Sequence, residues 1–256
     1  MAEFNTVQNP LSSDLMPFDH QVKESDDALP KNNYLIWLIN GKKGSGKSTL
    51  VLNMLKRKSS PYYKQFDNIY FISPTAGRGD HKFDGLVKEL ESEGKFYDEL
   101  NDEVIDEITR QLNEFNDEYI QQQEEANEKR KKKLPIEKPN NLIILDDCLH
   151  MLPKSNASSN INKLFTTNRH LKTSIWCLVQ KYNKVNTLMR TNADLLTIFP
   201  NDNAQEFKTI SDDWAIDPQL LDKVYKFATN EPNSFLHMSL FGRRPKFFKK
   251  FDKILI

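Results

Sequence analysis

The chain has 256 residues, enough for one large domain or one domain with appendages. Its 36 basic and 36 acidic side chains cancel, so there is no overall electrostatic signature of nucleic-acid binding and any such surface must be local. Apolar runs are too short to cross a bilayer, and the first residues lack the basic-then-apolar layout of a signal peptide. The expectation is a soluble intracellular protein.

Residues 1–33 are polar, carry Pro10, Pro17 and Pro30 and show no sustained period, which reads as an arm ahead of a domain spanning 34–256. A first strand is predicted over 34–40. It leads into Gly41-Lys42-Lys43-Gly44-Ser45-Gly46-Lys47-Ser48-Thr49, and a helix is predicted from there to about residue 58. A second strand is predicted over 68–73, followed by a turn-rich stretch. Residues 84–140 read as a charged helical insertion, with Val104, Ile108, Leu112, Phe115 and Tyr119 at helical spacing and a basic run at 129–133. That insertion is either a solvated amphipathic helix or an arm that meets a neighbouring subunit or DNA.

Strands are predicted over 141–147, 173–180 and 193–199, with a helix over 155–171. Two further helices, over 202–210 and 217–228, precede edge strands over 235–241 and 247–256. Continuous apolar strands separated by helices predict an α/β fold, a mainly parallel sheet with helices on both faces. Cys148 and Cys177 sit inside apolar runs and read as two buried thiols.

Strand, glycine turn and helix are the setting of a phosphate-binding loop, and the spacing fits G-x-x-x-x-G-K-[ST]. Glycines let the backbone N–H groups converge on a phosphate, and the helix start adds partial positive charge. Lys47 is then placed for the β- and γ-phosphates of a nucleotide and Ser48 for Mg²⁺. A chance glycine-rich loop is a poor alternative, because only 8 glycines occur in the whole chain.

The apolar strand ending in Asp146-Asp147 supplies the second half of such a site. Asp146 suits the metal and Asp147 the attacking water, although alone the pair would also suit a turn or helix cap. Gln180 ends the next strand, where an amide can sense the γ-phosphate. Arg169 and Arg190 flank that strand. Either is a surface ion pair or an arginine finger offered across a subunit interface. A GTPase is disfavoured, since Thr191-Asn192-Ala193-Asp194 lacks the lysine that packs on guanine. A small-metabolite kinase is disfavoured by the second carboxylate and the missing arginine-rich lid.

Taken together, the loop, Ile144-Leu145-Asp146-Asp147, Arg169-His170-Leu171-x-Thr173-Ser174-Ile175, Gln180 and Arg190-x-Asn192 closely resemble the genome-packaging ATPases of poxviruses, other large DNA viruses and virophages. These belong to the FtsK–HerA superfamily, and the resemblance runs from about residue 35 to the last strands. It implies a RecA-like P-loop fold and ATP with Mg²⁺. It also implies a homo-oligomeric ring, pentameric or hexameric, and translocation of double-stranded DNA into a preformed capsid. Capsid vertex proteins would be partners, and host cytoplasmic assembly sites or the virion the location. Gln180 becomes the sensor, Arg169 the finger and Arg190 its reserve. One departure is Asp147, where many relatives in the wider superfamily carry Glu. The short stretch after Pro200 leaves no room for a nuclease domain, so pumping without cutting is expected. Candidate DNA contacts are Arg78, His81 and Lys82, or Arg243, Arg244 and Lys246. An ATP-binding assembly scaffold and a cellular DNA-translocating ATPase are the alternatives.

Overall fold

The computed structural model describes residues 28–30, 34–76, 81–130, 134–154, 158–201, 203–242 and 244–255. The arm expected over 1–33 therefore lies outside the described residues except for Ala28–Pro30, and so do Arg78, Arg243 and Lys131 to Lys133.

Among the described residues, five apolar runs form the centre of a nine-stranded sheet. They are β1 (Ile36–Asn40), β2 (Asn68–Ile72), β4 (Asn141–Asp146), β5 (Thr173–Val179) and β6 (Leu195–Ile198), with the two-residue β3 (Phe96–Tyr97) at one edge. All six run parallel, and β7 (Leu236–Ser239), β8 (Lys246–Lys249) and β9 (Asp252–Lys253) continue the sheet antiparallel. The order is β3-β2-β4-β5-β1-β6-β7-β8-β9.

Side-chain alternation along these strands feeds two cores, as a sheet buried on both faces requires. Leu35, Trp37, Ile39, Leu142, Ile144, Trp176 and Leu178 point to one face. There α1 (Lys47–Lys56) covers them with Leu50, Val51 and Met54, and α2 (Asp84–Ser92) with Leu86, Val87 and Leu90. Trp37 and Trp176 meet edge-on at 5.3 Å between centroids, a favoured aromatic geometry. Ile36, Leu38, Ile143, Leu145, Ile175 and Cys177 point to the other face. They are covered by α3 (Asp102–Arg130), α4 (Asn160–Thr167), α5 (Thr187–Thr191), α6 (Ala204–Trp214) and α7 (Pro218–Ala228).

Residues 84–140 are built into this fold. β3 extends the sheet, and Ile105, Ile108 and Leu112 of α3 are buried in the core. Beyond Asn116 the helix is largely exposed. The returning chain is held to it by Gln123, whose amide exchanges two hydrogen bonds with the Glu137 backbone at 2.8 and 3.0 Å. The helix predicted over 155–171 is shorter, Asn160–Thr167. Ser159 caps its start, accepting from the Asn162 N–H, and the Asn168 amide beyond its end donates to the carbonyls of Tyr34 and Thr173. Both cysteines are buried and unpaired.

His237 on β7 is fully buried. Its Nε2–H donates to the Ala28 carbonyl at 2.7 Å, while Nδ1 accepts from the Thr197 hydroxyl, 2.8 Å away. Thr197 in turn accepts from Trp37 Nε1. The ring is thus held in one neutral tautomer, tying the described part of the arm to the sheet.

Candidate functional site

Parallel strands place all their C-terminal tips along one edge, and the strand order decides which tips become neighbours. β5 lies between β1 and β4. Asn40 pairs with Val179 and Asp146 with Leu178, so Gly41, Gln180 and Asp147 emerge side by side. The Gly41 N–H donates to the Val179 carbonyl at 3.0 Å and locks the loop to β5.

The loop curls through two left-handed glycines, Gly44 at φ +80° and Gly46 at φ +109°. Gly41 is needed for another reason. A Cβ there would stand 2.5 Å from Ser45 Oγ and 2.8 Å from Phe199 Cβ. The α1 helix opens at Lys47 with no side-chain cap, leaving its first N–H groups for an anion. Lys47 is buried, and its ammonium donates to the carbonyls of Gly41 and Lys42 at 2.6 and 3.1 Å. Burial lowers its pKa from the usual lysine value; Asp146 and Asp147 oppose that shift, and Lys82 adds to it. All three side chains therefore act on the same spot. Ser45 Oγ and Asn40 Oδ1 are buried without a hydrogen-bond partner in the protein, which suits a loop built around a polar ligand.

Asp146 is buried at the end of β4, and Asp147 takes the left-handed φ of +56° that turns its carboxylate over the tips. Gln180 Nε2 donates to Asp147 Oδ1 at 2.6 Å. The sequence-predicted sensor and base are thus brought into direct contact.

The arginines go elsewhere. Arg169 precedes β5 and so lies at the opposite edge of the sheet from the loop. Its Nη2 donates to Asp194 Oδ1 at 3.0 Å, and Asp194 Oδ2 accepts from the Ile36 N–H where β1 begins. The guanidinium is 48% exposed, whereas Asp194 is 9% exposed. Arg190 is buried, with Nε and Nη2 on the Asp213 carboxylate at 2.7 and 3.2 Å and Nη1 on the Val185 carbonyl. Its fork is committed inside the subunit, and that placement argues against the reserve-finger role.

Sequence reasoning missed a second buried cluster. Asn40 and Asn201 both donate to Glu206 Oε2, at 2.9 and 2.6 Å, and fasten the start of the loop to α6. A polar residue closing an otherwise apolar strand was the available signal.

Two buried groups titrate in opposite senses. Burial pushes His237 down to about 4, so acidification below neutrality favours the unfolded chain, which takes the proton first. Burial, opposed by the Ile36 N–H and Arg169, pushes Asp194 up to about 6, so between its ordinary and raised values the native state takes the proton first and gains stability. The native protein should therefore change little between pH 7 and 5. Asp194→Asn leaves the histidine unopposed and should lose roughly 2 kcal/mol over that interval, measured by urea unfolding.

Ser48 and Asp146 give hard oxygen donors, and among the described residues no group of three His, Cys, Asp or Glu side chains is gathered for a metal. That donor set fits Mg²⁺, which is commonly held by one or two carboxylates together with substrate phosphates.

A family model described as "Poxvirus A32 protein" matches residues 21–216. That match bears out the resemblance read from the sequence. No curated protein matches the chain significantly by sequence. Among solved structures, B204, the DNA-packaging ATPase from Sulfolobus turreted icosahedral virus, is similar at TM-score 0.56 and 18% identity, covering 88% of this chain and 100% of that one. The genome-packaging NTPase B204 from Sulfolobus turreted icosahedral virus 2 is similar in its AMP complex at TM-score 0.55 and 19% identity, covering 86% and 98%. Its ATPγS complex gives 0.51 and 18% over the same shares. At these identities the likeness speaks to the fold, and it agrees with the α/β P-loop architecture.

Proposed function

The chain belongs to the poxvirus A32 protein family, and we propose that it is an ATP-hydrolysing motor that moves double-stranded viral DNA into a preformed capsid. The observation that carries the ATPase is the meeting of three strand tips: loop, Gln180 and the Asp146–Asp147 pair, with sensor and base 2.6 Å apart. A module that only binds nucleotide needs no such pair. The solved relatives, a packaging ATPase and a packaging NTPase seen with nucleotides, support the packaging role.

The loop N–H groups and Lys47 bind the triphosphate, and Ser48 with Asp146 would hold Mg²⁺. Bound there, Mg²⁺ neutralises charge on the phosphates. Asp147 orients a water and accepts its proton, while Gln180 exchanges its bond to Asp147 for contact with the γ-phosphate. Arg169 of a neighbouring subunit completes the site in a pentameric or hexameric ring that docks on capsid vertex proteins at cytoplasmic assembly sites. No helix among the described residues is long and apolar enough to cross a membrane.

DNA dependence tests the motor. Steady-state ATP hydrolysis should rise several-fold on adding duplex DNA; turnover indifferent to DNA would favour a nucleotide-binding scaffold instead.

A further inference from the structure

Two loops leave the sheet beside the catalytic pair. One follows β4 and is described from Asp147 to Lys154, and the other follows β5 from Gln180 to Asn186. Because β4 and β5 are adjacent, these loops face each other across an open cleft of about 920 Å³. Asp147 and Gln180 line it, and so do His150, Lys154, Lys181 and Lys184. The histidine and all three lysines are exposed, and among the described residues none of them forms an ion pair. The cleft carboxylate, Asp147, is already bonded to Gln180.

A local excess of cations is notable in a chain whose charges otherwise cancel. The second loop is also braced from below. Arg190 grips the Val185 carbonyl and is itself anchored on Asp213, and Asn186 bonds the Pro153 carbonyl and Asn162 across the cleft floor. The lysines therefore stand on a fixed base. A wide, open cleft with dispersed, unpaired ammonium groups suits a polyanion, since phosphodiester contacts need cations along a track and no exact pocket.

The other basic candidates are placed less well. His81 is bonded to Asp84 at 3.0 Å, Lys82 acts on Lys47, and Arg244 and Lys246 lie at the far, antiparallel end of the sheet.

We propose that the duplex DNA backbone lies in this cleft, held by Lys154, Lys181 and Lys184, and that its presence reaches the sensor through Lys181, the residue after Gln180. This rests on the motor reading above and adds to it where the DNA sits.

The test compares the wild type with Lys154→Gln/Lys181→Gln/Lys184→Gln, using a short fluorescein-labelled duplex of mixed sequence. Each lost phosphate contact should flatten the slope of log affinity against log salt by about 0.9. The triple variant should need about 10-fold more DNA for half-maximal stimulation, with turnover in the absence of DNA as the internal reference. The single variants should each show part of the change. Arg244→Gln/Lys246→Gln should follow the wild type. Wild-type salt slope and stimulation in the triple variant would overturn the cleft while leaving the motor intact. Loss of self-association in sedimentation, with DNA affinity kept, would assign the cleft to a second copy of the chain and also overturn it. A wild-type protein that ignores DNA would remove both readings.

Discussion

Asp147→Asn should bind ATP within a few-fold of the native protein and lose roughly 10²–10⁴-fold in turnover, the usual worth of a positioned general base. The substitution is well suited to the site. Asp147 sits at φ +56°, a region Asn enters at least as readily, so the turn after β4 should hold. The Asn carbonyl can still accept from Gln180 Nε2 in place of Oδ1. What disappears is the ability to take a proton from water. Asp146→Asn should behave differently, weakening nucleotide binding in the presence of Mg²⁺ because it removes the charge of the proposed metal donor. Nucleotide titration and single-turnover hydrolysis separate the two. If Asp147→Asn hydrolyses at the native rate, Asp147 is not the base, and its hydrogen bond to Gln180 serves only to hold the tips together.

The parts of the site that could be read in advance are those fixed by local geometry. A glycine loop announces itself because residues other than glycine rarely adopt the φ values seen at Gly44 and Gly46, and the same loop must follow a strand and open a helix. Buried parallel strands are legible because both faces must be apolar. Strand order is not local. Nothing in the residues around Gln180 says that β5 slots between β1 and β4, yet that insertion alone puts Gln180 against Asp147. β3 was invisible because two residues carry no alternation, and its pairing comes from the longer β2. Arg190 shows the limit most clearly. Its partner Asp213 lies on α6, and only packing of that helix against the turn Tyr182–Lys184 turns a candidate finger into a buried brace.

Arg169 is the harder case, because its local sequence supports two roles and the fold keeps both open to experiment. In one subunit the residue cannot serve its own nucleotide. Asp194, its partner, bonds the first residue of β1, while the loop begins after the last, about 15 Å away at strand rise. A catalytic Arg169 must therefore act on a neighbour, and a head-to-tail ring offers that arrangement. Its half-exposed guanidinium fits this, whereas Arg190 is enclosed. The competing role is the counter-ion of a buried carboxylate, whose removal should cost on the order of 1 kcal/mol given the exposure of the arginine.

The two roles separate in mixtures. Arg169→Ala protein should fall by about 10³-fold or more in turnover if the residue is a finger in the proposed ring. Lys47→Ala protein should also be inactive, since it lacks the proposed phosphate-binding ammonium. Mixed in equal amounts, about a quarter of the head-to-tail interfaces would pair an intact loop with an intact Arg169, and activity should return in proportion. Arg169→Lys sharpens the result. A lysine restores charge beside Asp194 but lacks the fork that grips a phosphoryl group, so it should recover stability without turnover. If mixing restores nothing, while Arg169→Ala lowers the urea midpoint and hydrolyses normally once folded, Arg169 is a structural ion pair and the finger must be sought on another surface.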